Sequence, residues 1–145
     1  MDIVAIERAC ERLVLDFVFF SDHQQPEALS QLFTNEGVMH RPSGDSLIGR
    51  DAIHKSYQSR PPGRLTRHLC TNIRITVDSA DRARGLSYAL IYSAVLNQPA
   101  YAHFGIETEP RQIVGEFEDE FVRTPEGWRF AVRHARFLMH TKGIT

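Results

Sequence analysis

The residues best suited to chemistry lie in one stretch, Thr66-Arg67-His68-Leu69-Cys70-Thr71-Asn72-Ile73-Arg74-Ile75-Thr76-Val77. β-Branched residues dominate it and no Gly or Pro interrupts it, so it reads as a strand. Strand alternation sends His68, Cys70 and Asn72 to one face, with Leu69, Thr71, Ile73, Ile75 and Val77 on the other. A His and an Asn flanking a small apolar residue suit the lining of a pocket better than a packed core. Histidine titrates near neutrality, which makes His68 a candidate acid or base. Other chemistries lack their residues. The seven histidines are scattered, with no helical His pair at metal spacing and no Cys pair. There is no Gly-rich phosphate loop and no Ser elbow, so neither a metal nor a cofactor is expected.

The elements that must position this strand begin with a long amphipathic helix. Ile3, Ile6, Cys10, Leu13, Phe17 and Phe20 recur at steps of three and four, opposite Glu7, Arg8, Glu11 and Arg12. The helix should stop near Ser21-Asp22-His23, and Pro26 starts a short second helix running to about Phe33. Asn35-Glu36-Gly37 is turn chemistry before a short strand over Val38 to Arg41. Asp51 can cap a third helix through about Ser59, with Ile53 and Tyr57 on its apolar face, before Arg60-Pro61-Pro62-Gly63 ends it.

Beyond the opening stretch the chain is mostly strand. Asp78-Ser79-Ala80-Asp81 turns into a strand over Arg84 to Leu96, and a long loop over Asn97 to Arg111 follows. Loops of that length often serve as lids or interface segments, and Tyr101, Phe104 and Ile106 must cover something. Gln112 to Arg123 alternates, with Ile113, Phe117 and Phe121 opposing Glu116, Glu118 and Glu120; Asp119 breaks the pattern on the apolar face. After Thr124-Pro125-Glu126-Gly127, a last strand runs from Trp128 to Met139, and the tail after His140 reads as frayed. Helices followed by consecutive hairpin-joined strands imply an α+β fold with helices on one face of a curled antiparallel sheet, enclosing a cavity.

Composition sets the limits. The 145 residues suit one domain over 1–145, and 42% hydrophobic with 24% charged residues is ordinary for a globular chain. A formal net charge of -1 offers no footprint for nucleic acid or an anionic membrane. No apolar run approaches spanning length, and no basic segment followed by an apolar core opens the chain. Cys10 and Cys70 fit reduced thiols in a cytoplasmic protein.

Six short motifs in order carry a resemblance. A long helix ending in an Asp is followed by Leu-Phe-Thr-Asn-Glu-Gly at 32–37, Gly-Arg-Asp-Ala-Ile at 49–53 and Thr-Arg-His-x-x-x-Asn at 66–72. Gly-x-Phe-x-Asp-x-Phe at 115–121 and Gly-Trp-Arg-Phe at 127–130 complete the series. Together they resemble the SnoaL-like branch of the nuclear transport factor 2-like superfamily over almost the whole chain. The resemblance implies a cone of three helices wrapped by a curved sheet, with a pocket at the wide end and dimers common. That superfamily includes scytalone dehydratase, ketosteroid isomerase and polyketide cyclases, and also pure binding domains.

The dehydratase-like members pair an Asp just past the first helix with a His on the strand that opens the long sheet; Asp22 and His68 match those positions. Such members usually add tyrosines, where this chain has Phe17, Phe19 and Phe20 on the helix and His40 on the short strand. An Asp at a helix C-terminus faces the negative end of the dipole, and a phenylalanine-lined pocket would desolvate it. Asp22 therefore needs a donor, and a His N–H supplies one, leaving the other ring nitrogen of His68 for a substrate. The bland alternative makes Asp22 a solvated turn residue and His68 a satisfied histidine under a loop.

Asn72, Tyr88, Tyr92, Phe117 and His134 complete the candidate pocket lining with Phe17 and His40. Each also has a structural reading: Tyr88 and Tyr92 share a face and could simply pack, and Phe117 and Trp128 suit a core. His134 and Arg136 could reach the pocket or a dimer interface, and Asp119 is read as structural, paired with Arg133 or Arg129. The expected function is a cofactor-independent lyase or isomerase acting on a small, largely apolar, ring-containing or oxygenated molecule, as a homodimer. The alternative is a non-catalytic ligand-binding or interaction module. A homodimer would use the sheet's outer face through Leu69, Ile73 and Ile75.

Overall fold

A computed structural model of the protein describes residues 1–97, 100–101 and 103–143, with 100–101 given as backbone. Helix α1 (Ile3–Asp22) opens with Asp2, whose carboxylate accepts the Ala5 N–H at 3.0 Å and so caps the first turn. Its buried stripe includes Ile6, Cys10, Leu13, Val14, Phe17 and Val18. Two short helices follow, α2 (Pro26–Ser30) and α3 (Arg50–Gln58). The strands are β1 (Phe33–His40), β2 (Ser46–Ile48), β3 (Arg64–Val77), β4 (Arg82–Val95), β5 (Ala100–Tyr101), β6 (Gly105–Ile106), β7 (Ile113–Thr124) and β8 (Gly127–His140).

Six strands form one sheet in the order β2-β1-β8-β7-β4-β3, and α1 lies across its inner face. Every pairing is antiparallel except β1 against β8, so the sheet is mixed where the sequence suggested purely antiparallel. The parallel pair arises because the helices α2 and α3 bracket β1, which returns to the sheet beside the last strand instead of its sequence neighbour. Other boundaries shift as well. β1 begins at Phe33, inside the helix and turn expected there, Gly49 precedes α3 as its cap, and Asp51 lies in the first turn. Thr141 is tied to Gln112 by backbone and hydroxyl bonds, so the chain just past β8 is held.

In-register rows across the strands build the core. Ala83, Phe121, Phe130 and Phe33 stand side by side, and beside them Gly85, Asp119, Arg133 and Met39. Gly85 must lack a side chain, because a Cβ there would come within 2.8 Å of the Phe121 ring. Asp119 and Arg133 are both fully buried and form a two-pronged pair at 2.9 and 3.3 Å. The Arg133 guanidinium is also covered by the rings of Phe17, Phe117 and Phe130, at 4.3, 3.7 and 4.6 Å.

Irregularities in the strands correct several expected faces. In β3, Asn72 and Ile73 together stand opposite Ser87, and Asn72 takes a positive φ of 53°. One extra residue reverses the alternation beyond it, so Ile73, Ile75 and Val77 turn toward the core while Asn72 is exposed. In β8, Ala131 is the extra residue between the Phe130 and Val132 pairings. Trp128 therefore packs against the core while His134 and Arg136 face outward with Glu116 and Glu118. On β4 the inward positions are Ala83, Gly85, Ser87 and Ala89, which leaves Tyr88 exposed and Tyr92 on the outer face.

The buried ion pair generates a prediction. Asp119→Ala should cost about 3–5 kcal/mol, because it strands the Arg133 charge in a dry interior. Asp119→Leu combined with Arg133→Met should recover most of that loss. Urea denaturation of both variants checks it, and a double variant no more stable than Asp119→Ala would contradict it.

Candidate active site

The site is built where α1 ends against β3. Asp22 is the last helical residue, a position that gives a carboxylate no help from the helix dipole. Instead β3 supplies the donors. One Asp22 oxygen accepts the Thr66 hydroxyl at 3.0 Å and His68 Nδ1 at 2.5 Å, and the other accepts the His68 backbone N–H at 3.0 Å. Both side chains are largely buried, 7% exposed for Asp22 and 13% for His68. Burial pushes the Asp22 carboxyl up, but the His68 ring, the His68 N–H and Thr66 together outweigh it and hold the group below its ordinary value.

An ionised Asp22 at Nδ1 fixes the proton on that nitrogen, so the lone pair of neutral His68 sits on Nε2. Nε2 has no hydrogen-bond partner among the described residues, and His68 lines a cavity of about 440 Å³. Phe17, Met39, Ile91, Ile113, Phe117 and Phe137 give it apolar walls. Thr66, Ser93, Tyr57, Gln24 and three arginines contribute the polar part. Among the described residues no group of three or more His, Cys, Asp or Glu side chains is placed to hold a metal ion.

Of the residues singled out in the sequence, the structure brings together Asp22, His68, Phe17 and Phe117. It does not bring Asn72, Tyr88 or Tyr92 to this cavity, for the reasons of strand face given above. His40 and His134 are in register on the outer face, rings 5.2 Å apart, and line a separate charged hollow of about 770 Å³ with Glu118 and Arg136. The hollow lies on the face of the sheet opposite the Asp22–His68 pair. The 97–111 segment touches the cavity's edge, where the Glu109 N–H donates to the carbonyl of the cavity residue Ser93 at 2.7 Å. Phe104 there is 90% exposed, while Gln98, Pro99, Ala102 and the side chain of Tyr101 lie outside the described residues.

Sequence reasoning placed Tyr57 in the core of α3 and missed its second role. The residue is buried yet lines the cavity, and its hydroxyl finds only the Met39 sulfur, at 3.6 Å, among the described residues. Burial pushes its pKa up, with nearby arginines opposing, so it stays a proton donor. A tyrosine on a helix's apolar face whose hydroxyl needs a partner was the available signal.

The model of the SnoaL-like domain matches residues 2–134. The chain belongs to the SnoaL-like domain family. A comparison with curated proteins returns no match. Among solved structures, this SnoaL-like chain is similar to a candidate scytalone dehydratase from Novosphingobium aromaticivorans DSM 12444. The two are 24% identical over 98% of this chain and 90% of that one, with a TM-score of 0.80. It is similar to LinA at 20% identity over 98% and 91% of the two chains, with a TM-score of 0.81. A type 2 hexachlorocyclohexane dehydrochlorinase (LinA) matches at 17% identity over 98% and 90%, with a TM-score of 0.80. At these identities the likeness is one of fold.

The contact at Nδ1 predicts a tautomer and a pH response. Long-range ¹H–¹⁵N spectra of neutral His68 should show the proton on Nδ1, and Asp22→Asn should abolish that preference. Because the folded pKa of Asp22 is depressed, its stabilising contribution is full above the ordinary carboxylate value of 3.8. It should be lost only as pH falls through the lower folded value; an Nε2–H tautomer in the wild type would contradict the arrangement.

Proposed function

We propose that this SnoaL-like domain is a cofactor-independent lyase or isomerase in which His68, oriented by Asp22, acts as general base. The observation that carries the proposal is the buried Asp22–His68 contact opening on an apolar cavity. Nε2 takes a proton from carbon next to a substrate carbonyl, and the electron pair moves onto the carbonyl oxygen. The Tyr57 hydroxyl is the donor available to that developing charge. In an elimination, the enolate then expels a neighbouring hydroxyl, which takes the proton back from imidazolium and leaves as water. In an isomerisation, the same proton returns to a different carbon. The structural relatives named as a dehydratase and a dehydrochlorinase support the lyase reading, since both names describe eliminations.

The test is a panel of small cyclic β-hydroxy ketones and enones in D₂O, followed by proton NMR for exchange, elimination and isomerisation. His68→Ala should lower the rate by about 10²–10⁴-fold with its melting temperature retained, since the ring lines a cavity. Asp22→Asn should cost less, and the double variant about as much as His68→Ala alone, because the two act as one unit. No turnover across the panel, or a His68→Ala variant that unfolds, would overturn the assignment; tight binding without turnover would identify a binding module instead.

We further propose that the domain works as a cytoplasmic homodimer joined through the outer sheet face. The expected basis changes, because Ile73 and Ile75 point inward. In their place Leu69, Leu90, Val114 and Met139 form one in-register apolar row across four strands, with Leu69 49% and Met139 61% exposed. Sedimentation at micromolar concentration should give a dimer that Leu69→Glu shifts toward monomer; a monomeric wild type would rule the pairing out.

A further inference from the structure

Three arginines line the cavity, Arg41, Arg60 and Arg64, and they are not equivalent. The Arg41 guanidinium is committed to Asp45 and to the Ser56 hydroxyl. Arg60 and Arg64 form no ion pair among the described residues. Asp22 pairs with His68 and forms no ion pair with either arginine. The cavity therefore combines apolar walls with two uncommitted cations.

Their placement is directed. Arg60 lies over the Tyr57 ring at 4.1 Å, which holds its charge beside a wall of the cavity. Arg64, Thr66 and His68 alternate along β3 ahead of the bulge and share its inner face. Arg64 and His68 stand about 13 Å apart along the strand, at roughly 3.3 Å per residue. One strand thus presents a cation at one end of the cavity and the base at the other.

We infer that the ligand of this site is an amphiphile, with an apolar ring-containing body over His68 and a carboxylate held at the mouth by Arg60 and Arg64. Planar guanidinium groups match a carboxylate in two-pronged fashion. This deepens the reading of the cavity as the substrate site, on which it rests, by naming the charge that the substrate carries.

Binding, measured without turnover, tests it. Calorimetry compares 2-naphthoate with the neutral, near-isosteric 2-naphthamide, and cinnamate with cinnamamide, on wild type, His68→Ala and Arg60→Gln/Arg64→Gln. Each carboxylate should bind wild type about tenfold more tightly than its amide, the factor that corresponds to ~1.4 kcal/mol. The preference should persist in His68→Ala, weaken with added salt and vanish in the double arginine variant. Equal binding of acid and amide, no binding of either acid, or a preference that survives loss of both arginines would overturn it. The wild-type ratio stands without any variant, so a poorly folded double variant does not blunt the test. Lost turnover in His68→Ala with no acid preference would sink this inference alone, and an acid preference with no turnover would sink only the catalytic one.

Discussion

The arrangement of this domain depends on one carboxylate. Asp22 closes α1 at the end where the helix dipole repels it, so its charge is tolerable only while β3 brings donors to it. Three donors from two residues do so, and in the process they fix where the helix end meets the sheet. The cavity lies between α1, which contributes Phe17 and Ser21, and the inner face of the sheet, so this contact joins two of its walls. The group that anchors the helix also orients the imidazole.

The second buried charge pair is of a different kind. Asp119 and Arg133 face each other across neighbouring strands beneath three aromatic rings, and Arg133 Nη1 finds no partner there. Burial lifts the Asp119 carboxyl to about 6 against the pull of Arg133. Neither residue lines the cavity that His68 faces. The pair specifies register, since sliding β7 against β8 would separate charges that nothing else in the core could satisfy.

What the sequence made legible was whatever followed an unbroken period. The stripe of α1, the alternation of β7 and the inward Asp119 all follow from regular spacing, and Arg133 was one of two named partners. Motif order also placed Asp22 and His68 at positions that meet. What failed was every face read across a bulge: Asn72 beyond His68, and His134 and Arg136 beyond Ala131. A bulge is a decision of the whole sheet about register, and no local residue pattern announces it. Tyr88 and Tyr92 failed differently, because aromatic residues suit either face of a strand and only the small inward neighbours Ser87 and Ala89 settle which. The polar side of the cavity came from Arg60, Arg64 and Tyr57, where the sequence offered only a helix end and its stop signal.

The bulge at Asn72 has a consequence for how this chain can change over evolutionary time. Upstream of it β3 is written in one phase, with Arg64, Thr66 and His68 inward, and downstream in the other, with Ile73, Ile75 and Val77 inward. Asn72 is the punctuation between two reading phases. Its identity carries little beyond tolerance of a positive φ, but its presence carries a great deal. Losing a single codon there would turn Arg74 and Thr76 into the interior or expel His68 from the cavity. Position 72 should therefore accept substitution far more readily than deletion.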